Sequence, residues 1–260
     1  MFSLNISTII AIVTLFAQSA IAAPSRRVDA NGVYAKGAAS CIFPKPPKTS
    51  TLRAPIKFKG TFDGGNVRYE RGKACSDKKE GRNKDAVFLL ENGATLKNVV
   101  IGANQIEGVH CLGSCNLYNV WFEDVCEDAI TIFQTSGTTN IVGGGAKNAR
   151  DKVIQHDGGG TVNISSYCVQ GFGKLYRSCG NCITQYRRIA NIEDVIAQNG
   201  KVLAGVNSNY GDVVTLKNNQ ISGVSSMCDT FRGNNNGMEP KKLTVNKANA
   251  KYVQLLERPF

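Results

Sequence analysis

Short apolar stretches rich in Val and Ile recur along this chain, separated by Gly, Asn and Asp. They fall at residues 86–90, 99–101, 109–112, 120–122, 129–133, 153–154, 162–164 and 203–206. Each is too short for a helix, and the β-branched content predicts strands. The Gly, Asn and Asp between them predict tight turns. An Asn followed by a β-branched residue marks a register: Asn98-Val99, Asn119-Val120, Asn140-Ile141, Asn163-Ile164 and Asn191-Ile192, at steps of 21, 21, 23 and 28 residues. The first three steps suit one coil of a parallel β-helix, where each coil lays short strands on the coil below and hydrogen bonds run between coils. The fourth needs an insertion, expected at residues 178–185. Asparagines at equivalent turn positions would then stack into a ladder of side-chain amides. A β-sandwich with regular turns also uses strands of this length, but gives no reason for the dipeptide to keep its phase.

The pattern therefore predicts an all-β chain with one domain, a parallel β-helix over residues 56–233. Residues 23–55, rich in Pro, Lys and Ser, read as an irregular arm tied down by Cys41. Residues 75–85 read as a charged loop, and residues 234–260 as a cap and tail over the last coil, as terminal repeats need. At the start, an apolar run over residues 9–16 precedes Ala20-Ile21-Ala22, a small-residue cleavage pattern. Residues 1–22 are read as a secretory signal, although no Lys or Arg precedes the apolar run; that run is too short to span a bilayer. The dibasic pair Arg26-Arg27 is a surface pair or a propeptide site. The expectation is a secreted, extracellular monomer with no membrane span.

Charge narrows the partner. The chain carries 31 basic and 20 acidic residues, a formal +11, which favours a polyanion: nucleic acid, an anionic membrane or an acidic polysaccharide. In a secreted chain the nine cysteines are most simply disulfides, with one left over. The alternative is zinc at Cys179-Gly-Asn-Cys182 with Cys111 and Cys115, which secretion argues against. Asn163-Ile164-Ser165 is a glycosylation sequon inside an expected strand. Walker, GxSxG and HExxH motifs are absent.

Counting by coil gathers the chemistry. Glu107 lies just before Val109, Glu127-Asp128 just before Ile130, and Asp151 just before Val153. Stacking brings four carboxylates to one edge, where like charges repel unless a cation sits among them. A hard ion with oxygen ligands, Ca²⁺ above all, suits them; unrelated solvated turn acids are the alternative. Lys152 and Lys174 are 22 residues apart, one coil, and Arg177 follows. Clustered cations are expected to depress one another's pKa, and a lysine pushed toward neutrality is a general base. Ordinary surface lysines are the competing reading. His110 reads as a satisfied turn or core histidine, His156 as a groove-edge residue, and Trp121 as core or wall.

At these residues the sequence resembles polysaccharide lyase family 3, the small pectate lyases. The resemblance is carried by residues 85–102, by Gly108-Val109-His110-Cys111, by residues 119–129, and by Asp151-Lys152 with Gly173-Lys174-Leu175-Tyr176-Arg177. It runs from about residue 57 to about residue 233. It implies a right-handed parallel β-helix and calcium-dependent β-elimination of α-1,4-polygalacturonate. It implies that Glu127 and Asp128 are calcium acids, that Lys152 is the lysine of the active centre, and that Lys174 and Arg177 are the remaining basic pair. Glu107 stands where the family usually has Asp. With Glu107 and Asp151, four carboxylates form the expected metal site. Lys152 is the expected base and Lys174 and Arg177 the carboxylate holders; Arg177 is the second candidate for base. Three rivals compete: a polygalacturonase, which needs aspartates and no calcium; a non-catalytic binder of anionic wall polysaccharide on the same fold; and a nucleic-acid binder, disfavoured by secretion and by the lack of aromatic-basic interleaving.

Overall fold

The computed structural model describes residues 38–75 and 81–246, and the backbone of the strand Val253–Leu256. The proposed signal, the dibasic pair, the first part of the arm, part of the charged loop and part of the tail lie outside the described residues. The described chain is a parallel β-helix. Strand Glu107–Cys111 lies beside Asp128–Ile132, that strand beside Thr138–His156, then Cys168–Ser178, Ile196–Asn207 and Gln220–Arg232, each pair parallel.

Left-handed residues make the corners. Asn66, Asn98, Asn119, Gly143, Ser166, Asp194 and Asn218 all have φ between 50° and 63°, and the strand registers stack them at one edge of successive coils. A second row, Asn148, Gly171, Asn199 and Gly223, stacks at the next corner with φ of 57° to 66°. Gly has no Cβ to clash there, and Asn, Asp and Ser carry short polar side chains that bond locally. One such residue turns the chain without breaking the ladder, so Thr138–His156 runs as a single 19-residue strand around two corners.

The expected asparagine ladder divides into two. Asn119 donates to Asn98 (2.9 Å) and to Asn66 (3.3 Å) at the first corner. Asn140 instead pairs with Asn116 and donates to it (2.9 Å); Asn163 donates to Asn140 and Asn191 to Asn163, both at 2.9 Å. The equal step from Asn119 to Asn140 is a coincidence: Val120 faces Gly144, not Ile141. Within its ladder the Asn163 amide is engaged at both ends.

Alternation fills the core. Leu96, Leu117, Ile141, Ile164, Ile192 and Leu216 are register partners in successive coils, and all are at most 3% exposed. Full burial of each such side chain is worth about 1.5–3 kcal/mol. The arm packs on the flank: Cys41 is bonded to Cys168, and the Phe43 ring meets Trp121 edge-on at 4.7 Å under the Lys147 ammonium. Trp121 is buried, as expected of a wall residue. Lys241–Thr244 folds back antiparallel over Gln220–Arg232. Among the described residues no helix is long and apolar enough to cross a membrane. The other disulfides join Cys75 to Cys126, Cys111 to Cys115 and Cys179 to Cys182, and Cys228 stays free and buried.

His156 is not at the groove edge. It points inward and is fully buried, with Nδ1 against the Tyr176 hydroxyl (2.9 Å) and Nε2 against the Gly159 carbonyl (3.1 Å). Burial, helped by the Arg188 charge and opposed by the Gly159 contact, lowers its pKa to about 4. Below the unfolded value of about 6.5 the unfolded chain gains a proton that the folded chain refuses. His156 should therefore cost ~3 kcal/mol of stability as pH falls from 6.5 to 4, and nothing above 6.5. Denaturant midpoints of wild type and His156→Asn at pH 7 and pH 4 test this. An equal acid loss in both proteins would remove His156 as the cause.

Candidate active site

Two rows of outward side chains cross the sheet that begins at Glu107–Cys111. Val109 and Cys111 point into the core, which turns His110 outward. The same alternation sets out one row, His110, Thr131, Gln155, Arg177, Gly205 and Asp229, one residue per coil. The second row, three residues earlier in each strand, runs Glu107, Asp128, Lys152, Lys174 and Val202; Lys152 is the direct register partner of both Asp128 and Lys174. The coil count thus brings the two lysines and the acids together.

A β-bulge shapes the centre. Ala149 faces Phe172 and Lys152 faces Lys174, so Arg150 and Asp151 together oppose Gly173. A Cβ at Gly173 would run into the carbonyls of both bulged residues, so the bulge requires glycine there. The extra residue aims Asp151 between the lysines: its Oδ2 is 2.6 Å from Lys152 Nζ and its Oδ1 2.5 Å from Lys174 Nζ. Lys152 Nζ also lies 3.4 Å from Asp128 Oδ1 and 3.8 Å from Glu127 Oε1.

The expectation that the cations depress one another is overturned for Lys152. Burial pulls its pKa down, but Asp128, Asp151 and Glu127 outweigh burial and hold it above the ordinary lysine range. Asp151 sits at about 2: burial pushes it up, and the two lysines more than offset this. Arg177 stands apart from the acids. Its Nη1 donates to Asn207 Oδ1 (3.0 Å), its guanidinium carbon lies 3.9 Å from the centre of the Phe231 ring, and burial lowers it to about 10 against the pull of Asp212.

Three of the acids, Glu107, Glu127 and Asp128, line a cleft of about 340 Å³ together with Lys152 and His110. Asp128 is buried, and burial, then Glu107, Glu127 and Asp151, raise its pKa well above normal against the pull of Lys152. Its Oδ1 has no hydrogen-bond partner. Four carboxylates therefore face two lysines, with one buried oxygen unsatisfied, a donor set that fits a hard cation. No three of them bring oxygens within 4.8 Å of one another, because the Lys152 ammonium stands among them. Glu107 is held by His110, whose Nε2 lies 3.2 Å from its Oε2 and whose Nδ1 lies 2.8 Å from Asn83 Oδ1. His110 is thus a satisfied, buried histidine, as its sequence reading has it, but it lines the cleft and not the core; the alternation of Val109 and Cys111 was the signal. The Cys75–Cys126 disulfide anchors the loop carrying Asn83 next to Glu127. The zinc alternative is closed: Cys179 and Cys182 lie near Asp157 but bond each other, as do Cys111 and Cys115.

A stacked acid-and-lysine row on a parallel β-helix defines a polysaccharide-processing class, and the comparisons narrow it. The sequence model of the pectate lyase family matches residues 40–238. The chain is 52% identical over 223 residues to a probable pectate lyase E from Neosartorya fischeri, covering 85% of this chain and 87% of the other. It is 50% identical over 223 residues to pectate lyase E from Emericella nidulans, covering 85% and 87%. Among solved structures, pectate lyase Pel3 from Pectobacterium carotovorum superposes with a TM-score of 0.61 at 32% identity, covering 85% of this chain and 73% of that one. Pectate lyase PelI from Erwinia chrysanthemi in complex with tetragalacturonic acid gives 0.59 at 31%, covering 81% and 70%. This chain belongs to the pectate lyase family.

Proposed function

We propose that this protein is a secreted, monomeric, calcium-dependent pectate lyase that cleaves α-1,4-polygalacturonate by β-elimination in the plant cell wall. The observation that carries the calcium site is the acid excess around Asp128, whose buried Oδ1 has the Lys152 ammonium 3.4 Å away but no hydrogen-bond partner. The tetragalacturonic acid bound by the related PelI supports the substrate class.

Glu107, Glu127, Asp128 and Asp151 would hold calcium, with His110 orienting Glu107. Bound there, calcium supplies positive charge that draws electron density from the uronate carboxylate and acidifies the proton at C5. Lys174 and Arg177 bind uronate carboxylates and stabilise charge that develops as the proton leaves. Lys152 is held protonated by the same acids that would hold the metal, and would be less firmly charged where those acids served the ion. In its neutral form Lys152 takes the C5 proton, the C4–O bond breaks with its electron pair on the departing oxygen, which takes a proton from solvent, and a C4–C5 double bond remains. Arg177 as base is the second reading, favoured by its lowered pKa of about 10.

The test is ultraviolet absorbance of unsaturated product from polygalacturonate, first with calcium and then with excess chelator. The expected result is a signal that chelator abolishes. Intact polymer binding with no signal in either would mean a non-catalytic binder. Chain shortening without unsaturation would mean a hydrolase.

A further inference from the structure

The bulge that delivers Asp151 inward also carries Arg150 outward, on the opposite side of the lysine row from the acid cleft. There it lines a second groove of about 660 Å³, open to solvent. Across that groove stands Lys201. The registers place Lys201 two coils from the bulge, in line with Gly173, which is the residue between. Both cations are exposed. They are thus separated by about two strand spacings, roughly 10 Å, and Gly173, in line between them, has no side chain. The floor is Gly171, Gly173 and the edge of Phe172; one carboxylate, Asp124, stands on the rim. The groove adjoins the reacting centre along the chain: Asp151 follows Arg150 directly and Lys174 follows Gly173.

We propose that Arg150 and Lys201 form an accessory uronate site, which grips the carboxylates of polygalacturonate units beyond those at the Lys152–Lys174 centre. This rests on the lyase reading above. A polymer with a carboxylate on every sugar that leaves the centre along this groove passes the two cations. Arg offers a bidentate fork to carboxylate and Lys a point charge. The groove between them, about 660 Å³ and open to solvent, leaves room for sugar units. The site therefore favours long, unesterified substrate over short oligomers, which end before reaching it.

The experiment compares hexagalacturonate with trigalacturonate by rate of unsaturated product, in wild type, Arg150→Ala/Lys201→Ala, Lys201→Ala and the remote pair Lys57→Ala/Lys59→Ala. The ratio of kcat/KM for hexamer to trimer should fall about tenfold in the groove double variant, as expected for losing two charge-assisted contacts. Lys201→Ala, which leaves the bulge untouched, should lower the ratio in the same direction. An unchanged ratio in these variants, or an equal fall in the remote pair, overturns the proposal. Calorimetry of hexagalacturonate in excess chelator separates this from the lyase reading. If wild type makes no unsaturated product, that reading fails. The accessory site stands if the groove double variant then binds the hexamer about tenfold more weakly, and falls if binding is unchanged.

Discussion

Lys152→Ala should lower the turnover of polygalacturonate about a thousandfold, the middle of the range for loss of a positioned general base. Substrate binding should survive, because Lys174 and Arg177 remain. A second readout follows from the geometry. The Lys152 ammonium stands among Asp151, Asp128 and Glu127 at 2.6–3.8 Å, where it competes with a metal for the same oxygens. Its removal should tighten calcium binding by calorimetry while abolishing product. Normal turnover in Lys152→Ala would sink the assignment; if Arg177→Lys then lost activity, the base would be Arg177. A base that must shed a proton also demands a rate that climbs toward alkaline pH, so a peak below neutrality would count against lysine.

Arg188→Met should cost about 3–5 kcal/mol of stability, the range for breaking a buried charge network on one side. Arg188 is fully buried. Its Nη1 donates to Gln185 Oε1 (2.9 Å) and the Tyr186 carbonyl (3.1 Å), and its Nη2 to the Asp157 carbonyl (2.7 Å). Its charge also helps lower Asp157 and Asp212, both of which burial raises. Methionine fills similar space but leaves those acceptors without a donor and those acids without their cation. Denaturant midpoints at pH 7 measure the loss. A cost under about 1 kcal/mol would mean that water or another cation replaces Arg188.

The sequence revealed more about the site than about its support. Counting coils placed Glu107, Asp128, Lys152 and Lys174 in one row because each follows a strand pattern whose period stays close to the coil length. The asparagine phase misled because corners and strand starts both use Asn: Asn116 was passed over for being followed by Leu117, and Asn140 was aligned with the wrong partner. The histidines were exchanged for a related reason. Which face a residue takes depends on strand phase, and His156 lies beyond the bulge, where that phase has shifted. The bulge itself was illegible, since nothing in Arg150-Asp151 marks one residue as extra. The raised pKa of Lys152 was missed because coil counting gives rows, not which charges touch; Asp151 intervenes between the lysines only through the bulge.

The two corner rows measure each coil from a fixed origin. From Gly171 to Lys174, from Asn199 to Val202 and from Gly223 to Ser226 the chain advances three residues, whereas from Asn148 to Lys152 it advances four. The segment from corner to site row is thus one residue longer in the coil that bears the proposed base than in the coils stacked after it. That one residue sets Asp151 between the two lysines, and Gly173 on the next coil makes room for it. The charge beside the proposed base is thus set by a local length, without any change in how the coils stack.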